Sequence, residues 1–99
     1  MRVLITGAAG AVGSCVAHGL GHRHDIRGFD RLPMPDLGDA IVGDLADFDA
    51  VLAATSGMEA VIHLAGSPGE RPWEIISQSN YVGTYNIFEA ARQSGVRRL

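Results

Sequence analysis

The sequence predicts an α/β fold, a parallel sheet with helices flanking it, and three observations carry that prediction. Strand and helix signals alternate along the chain, the pattern of successive βαβ units. Two apolar runs, residues 3–5 and 60–65, are continuous rather than alternating, as in strands buried on both faces. Between the first run and a helical segment, Gly7, Gly10 and Gly13 recur at every third position.

Taken in order, residues 3–5 form the first strand and residues 11–20 the first helix. Gly7 permits the sharp turn between them. Gly10 lets backbone approach an anion with no side chain in the way, and Gly13 lets the helix pack close to the strand. The helix N-terminus then offers free N–H groups and the positive end of its dipole. Residues 25–30 read as the second strand. Residues 31–39, rich in Pro, Gly and Asp, are too few for a well-formed helix. A short third strand covers 40–43. A helix follows at 47–55, with Asp44 or Asp47 as its N-cap. Residues 60–65 are the fourth strand and 66–71 a loop. A long helix is expected over 72–94, with Pro72 in its first turn and Gly95 as its stop. Residues 96–99 begin a fifth strand. There is no internal repeat and no low-complexity tract.

Right-handed crossovers place the strands in the order 3-2-1-4, with the fifth beside the fourth. The topological switch point then falls between strands one and four. A ligand is expected over residues 7–13 on one side and 65–67 on the other. On the long helix, Trp73, Ile76, Asn80, Gly83, Thr84, Ile87 and Ala91 share one face by helical spacing. Ile75, Val82 and Tyr85 fall on another side, so the helix expects a second neighbour, from a later helix or a partner subunit.

Composition narrows the classes. Ninety-nine residues allow one domain at most, and 46% hydrophobic residues suit a globular core. No apolar run is long enough to span a membrane and no signal peptide precedes the first strand, so no membrane partner is expected. A net charge of -3 gives no reason to expect nucleic acid. Cys15 is the single cysteine, which allows no internal disulfide and fits a cytoplasmic location. It reads as a small core residue of the first helix rather than a nucleophile. All eight basic side chains are arginine, which excludes any mechanism needing a lysine within this chain. His18, His22 and His24 invite a metal reading, because the first two lie four apart on a helix, but no carboxylate or cysteine completes the set nearby, and histidines near a helix C-terminus are favoured by the dipole; no metal is expected.

The glycines form G-x-x-G-x-x-G, not the usual G-x-G-x-x-G, and alone they would also fit a plain tight turn before a helix. Context favours a dinucleotide: a strand before, a helix after, and Asp30 at the end of the second strand. A carboxylate there accepts hydrogen bonds from the adenosine ribose and repels a 2′-phosphate, favouring NAD over NADP. Arg31 works against that preference, since a guanidinium can hold the 2′-phosphate. A solvated turn residue before Pro33 is the plainer reading of Asp30.

Four stretches, Thr6 to Gly13 (TGAAGAVG), Gly43-Asp44-Leu45, His63-Leu64-Ala65-Gly66, and Asn80 to Ala91 (NYVGTYNIFEAA), together resemble the N-terminal half of an extended short-chain dehydrogenase/reductase of the NAD-dependent epimerase/dehydratase group. Within that group the stretch from His63 through Pro72-Trp73-Glu74 to Ala91 looks most like uronate dehydrogenases and their relatives. The resemblance implies a Rossmann-type fold and NAD as cofactor. It implies that the turn from Gly7 to Gly13, with Ala9, Ala11 and Val12, holds the pyrophosphate, and that Asp30 and Arg31 stand at the adenosine ribose. Asp44 and Leu45 would meet the adenine, though Asp44 also suits a helix cap. Leu64, Ala65 and Gly66 would line the nicotinamide ribose and Ser67 would face the substrate, where a turn serine is the plainer role. Asn80 would support the site, or make a purely structural hydrogen bond. His63 reads as a satisfied core histidine.

The family's reaction uses a Tyr-x-x-x-Lys pair, in which tyrosine exchanges a proton with the substrate alcohol while hydride moves to or from the nicotinamide, and lysine lowers the tyrosine pKa. Tyr81 cannot serve, because Tyr85 stands where the lysine would be. No catalytic residue is therefore assigned here. The expectation is that residues 1–99 are the NAD-binding half-domain of a sugar or sugar-acid dehydrogenase or epimerase, without its catalytic and substrate part and inactive alone, with a small-molecule sugar substrate and a homodimer through helix 72–94 in the complete enzyme. The competing expectation is a stand-alone, non-catalytic dinucleotide-binding module; a decayed remnant is a third.

Overall fold

A parallel sheet in the order β3-β2-β1-β4 organises the chain, as the sequence predicts. The computed structural model describes residues 1–65, 73 and 77–99, with backbone alone for 77–79. The strands are β1 (Arg2–Thr6), β2 (Asp25–Asp30), β3 (Ala40–Val42) and β4 (Ala60–His63). The helices are α1 (Ala11–Leu20), α2 (Phe48–Thr55) and α3 (Gly83–Ser94), the last preceded by a π-helical turn over Ser77–Val82. Thr6, at the end of β1, lies opposite Phe29 on one side and His63 on the other.

Alternation along β1 sends side chains into two cores, one per sheet face. Leu4 joins Phe29, Val61, Val51 and Ala54 of α2, and Ile87 and Ala90 of α3. Val3 and Ile5 join Ala60, Ala17 of α1, and Met34 from the loop after β2. Leu4, Ile5 and Ile87 are each buried to 1% exposure or less, and each such side chain stabilises the fold by about 2 kcal/mol. The loop at 31–39 thus covers the sheet where a crossover helix would lie.

Local chemistry sets the element ends. Asp47 caps α2, accepting from Ala50 N–H, which decides between the two cap candidates. Gly95 ends α3 at φ 74°; its N–H donates to Arg92 O and that of Val96 to Ala91 O, a Schellman stop. Residues 96–99 contribute one parallel bridge, Ala60 to Arg98, on the side of β4 where a fifth strand is expected.

Several expectations need correction. Cys15 is exposed, not core. The inward stripe of α1 is Gly13, Val16, Ala17 and Leu20, and residue 15 lies off that i, i+3, i+4, i+7 line. β4 ends at His63 rather than residue 65: the Leu64 N–H is shared between the Thr6 carbonyl at 3.3 Å and the Thr6 hydroxyl, and the Ala65 N–H turns to the hydroxyl. Ile62 and His63 are half-buried, so β4 is not covered throughout on both faces. Trp73 is 65% exposed and does not belong to the inward face of the long helix. That face is Gly83, Asn86, Ile87, Ala90 and Ala91 in α3. The described part of the helix is not a single α-helix, since it changes from π to α at Gly83. Its expected start at Pro72, and Ile75 and Ile76, lie outside the described residues.

Arg27 is a tie that periodicity does not show. Its guanidinium donates to Asp39 and to the carbonyls of Ala54 and Ser56, where α2 ends. Arg27→Ala is expected to lower the unfolding free energy by about 2 kcal/mol, the usual worth of charge-assisted hydrogen bonds. Urea denaturation checks this.

Candidate functional site

A cavity of about 620 Å³ opens at the C-terminal ends of the strands. Gly7, Gly10, Ala11, Val12 and Gly13 form one wall and Leu64 and Ala65 another. Asp30 and Arg31 follow β2 into it, Gly43, Asp44 and Leu45 follow β3, and Asn80 approaches from the π turn. This is the switch point between β1 and β4.

The glycine turn is built by steric necessity. Gly7 has φ 73°, and a Cβ there would stand 2.9 Å from Ala65 N and from the Leu64 carbonyl carbon. A Cβ on Gly13 would stand 2.0 Å from Gly7 O. Gly10 caps α1 without a side-chain hydrogen bond. Its own N–H is spent on Gly7 O, and the first helical bond runs from Ser14 N–H to Gly10 O. The N–H groups of Ala11, Val12 and Gly13 precede that bond and make no hydrogen bond to the described residues. Three donors and a positive helix end face the cavity, the arrangement that binds a phosphate.

Asp30 is half-buried and is not a freely solvated turn residue. One carboxylate oxygen accepts from Ala9 N–H at 3.0 Å and the other from Leu32 N–H at 3.0 Å. Each oxygen keeps a lone pair for a further donor. Ala9 is placed by this bond and is not among the cavity's lining residues. Arg31 is exposed. Asp44 is exposed and accepts from Ala46 N–H in a local turn, so the helix cap falls to Asp47 and not to Asp44. Leu45 is buried, and its carbonyl accepts from Asn86 Nδ2 at 2.8 Å. Asn86 thus pins the β3–α2 loop to α3. Gly66 and Ser67 lie outside the described residues.

Sequence reasoning missed Phe29 and Gly43 as lining residues. A Cβ on Gly43 would lie 3.2 Å from the Phe29 ring, so the glycine seats β3 against it. The signal was present in the Gly43-Asp44-Leu45 stretch. Asn86 was missed because a polar residue beside an apolar stripe normally reads as solvated.

His63 is hydrogen-bonded, as expected of a core histidine. Nδ1 lies 2.6 Å from Thr6 Oγ1, and Nε2 lies 3.3 Å from Thr84 Oγ1 on α3. Burial lowers its pKa below 6.5. The unfolded chain therefore takes up the proton first as pH falls. Stability is full above pH 6.5 and declines as pH drops from 6.5 through the lower folded value. Urea midpoints from pH 8 to 5 should show this decline, and His63→Phe should flatten it.

Among the described residues, the titratable lining groups are Asp30, Arg31 and Asp44. Two carboxylates and a guanidinium suit hydrogen bonding and charge pairing with a bound ligand. Tyr81 and Tyr85 are 62% and 67% exposed. No helix among the described residues is long and apolar enough to cross a membrane.

Comparison with known proteins gives a consistent picture. Residues 3–99 match the model of the NAD dependent epimerase/dehydratase family. The chain is 42% identical to a uronate dehydrogenase of Pseudomonas syringae pv. tomato, over 99% of this chain and 38% of that protein. It is 40% identical to an NAD-dependent glucose-6-phosphate dehydrogenase of Haloferax volcanii, over 98% of this chain and 40% of the relative. A uronate dehydrogenase mutant from Agrobacterium tumefaciens, solved with NAD, superposes with a TM-score of 0.89 at 39% identity, over 95% of this chain and 37% of that one. The chain thus spans about two-fifths of the length of these relatives.

Proposed function

We propose, since the chain belongs to the NAD-dependent epimerase/dehydratase family, that residues 1–99 are the NAD-binding part of a dehydrogenase acting on a sugar or sugar acid. The observation that carries this reading is the set of three N–H groups at the start of α1, facing the carboxylate of Asp30 across one cavity. The pyrophosphate lies on Ala11, Val12 and Gly13. The adenosine ribose donates to Asp30, whose charge disfavours the 2′-phosphate of NADP. Asp44 and Leu45 border the adenine. Leu64 and Ala65, with Gly66, Ser67 and Asn80, border the nicotinamide ribose and substrate side.

NAD supplies the hydride acceptor when bound. What this chain contributes is orientation and charge, since it contains no lysine for the family's Tyr-x-x-x-Lys pair. The uronate dehydrogenases among its relatives support a sugar acid as substrate of the whole protein. We further propose a cytoplasmic location, which the single thiol suits, and a homodimer through residues 72–94. Tyr81, Tyr85 and Phe88 stand 56–67% exposed there, an apolar surface of the kind subunit contacts cover.

Calorimetric titration of the full chain with NAD and NADP tests the proposal. NAD binding at least about tenfold tighter than NADP is expected, roughly 1.4 kcal/mol, with no reduction of NAD when glucuronate is added. Equal affinity, or turnover, would reject it.

A further inference from the structure

The Thr6 hydroxyl is completely buried and sits at the junction of three segments. It lies 3.1 Å from Leu64 N, 3.2 Å from Ala65 N and 2.6 Å from His63 Nδ1. A hydroxyl has two lone pairs and one proton. The two N–H groups lie on the lone pairs, that of Leu64 being shared with the Thr6 carbonyl at 3.3 Å, so the proton points at Nδ1. Nδ1 is therefore an acceptor, and the ring proton belongs on Nε2, where it donates to Thr84 Oγ1 at 3.3 Å. The opposite tautomer, or a protonated ring, would aim a third N–H at an oxygen with no lone pair left and strand the hydroxyl proton.

We infer that His63 is a positioning residue: as the neutral Nε2–H tautomer it fixes the Thr6 hydroxyl in the one orientation that holds the Leu64 and Ala65 N–H groups, and so sets the β4 wall of the cavity. This rests on the reading of that cavity as a dinucleotide site. The wall packs closely on the glycine turn, since a Cβ on Gly7 would stand only 2.9 Å from Ala65 N and the Leu64 carbonyl carbon. A displacement of 64–65 therefore presses on the turn that presents Ala11 to Gly13. Through Thr84, the same ring ties the wall to α3.

The test uses the full chain, first without NAD. Long-range 1H–15N spectra of the imidazole at pH 7.5 should show His63 with its proton on Nε2, and the Leu64 and Ala65 amides should exchange slowly. His63→Phe keeps a ring but removes the Nδ1 acceptor. It is expected to speed exchange at both amides and weaken NAD binding about tenfold, the loss of one buried hydrogen bond. His63→Asn restores an acceptor near the Nδ1 position and should recover affinity to within about threefold. If the histidine only filled space, both variants would follow their thermal stability, and the aromatic replacement would bind NAD the better. An Nδ1–H tautomer in the parent chain would overturn the inference whether or not either variant folds, as would normal NAD affinity in His63→Phe. Failure of the parent chain to bind NAD would reject the dinucleotide reading instead, while the tautomer and exchange results still decide the network.

Discussion

Gly13→Ala is expected to abolish NAD binding and to destabilise the fold by about 3 kcal/mol, the upper part of the range for overpacking. The added methyl would stand 2.0 Å from Gly7 O, 2.7 Å from Gly7 C and 3.0 Å from Ala8 Cα. All three are backbone atoms, so no side chain can rotate away. Either α1 moves off the turn or the turn opens. The first carries the N–H groups of Ala11 to Gly13 away from the pyrophosphate position. The second shifts the Gly7 backbone that packs beside Leu64 and Ala65, and so distorts the turn that presents those N–H groups. Gly19 provides the control within the same helix. A Cβ there meets nothing within 4 Å, so Gly19→Ala should stabilise by roughly 0.5–1 kcal/mol through helix propensity and leave NAD binding unchanged. Urea denaturation and calorimetry on the two variants separate the packing effect from the general effect of replacing a helical glycine.

Asp30→Ala carries the second large effect. It leaves Ala9 and Leu32 N–H without their acceptor, at a cost of about 2 kcal/mol in stability. It also removes the acceptor for the ribose, and NAD affinity should fall about a hundredfold, two charge-assisted hydrogen bonds being lost. The affinity ratio should move further than either affinity. With the carboxylate gone and Arg31 still at the cavity, repulsion of a 2′-phosphate is relieved, and NADP binding relative to NAD should rise by one to two orders of magnitude, roughly the Coulomb energy of one charge pair at a partly exposed site. A parallel loss for both dinucleotides would mean that Asp30 acts only by holding the turn.

Much of this was legible in the chain because its signals are local. Residues 25–30 are a strand and 11–20 a helix in both readings, and the strand order follows from alternation and crossover handedness. The glycine turn and Asp30 were legible because backbone geometry restricts which residues serve there. What was not legible depends on partners distant in sequence. Thr6 meets residues 63–65 only through the β1–β4 register, and Asn86 meets Leu45 only once α3 is docked. Arg27 closes the end of α2 across 27 and 29 residues. Cys15 was misplaced because a small sulfur side chain carries no directional signal, so only the helix phase decides its exposure. The π turn before α3 was hidden because the apolar spacing of a helix hardly distinguishes one extra residue per turn.

The proposed function turns on where a dinucleotide sits, and amide chemical-shift mapping of the 15N-labelled full chain during an NAD titration tests that most directly. The predicted result is a saturable set of shifts at Ala11, Val12 and Gly13, at Asp30, at Asp44 and Leu45, and at Leu64 and Ala65. No saturable shift, or shifts confined to Arg2, Asp25 and Met58 around the opposite ends of the strands, would contradict it.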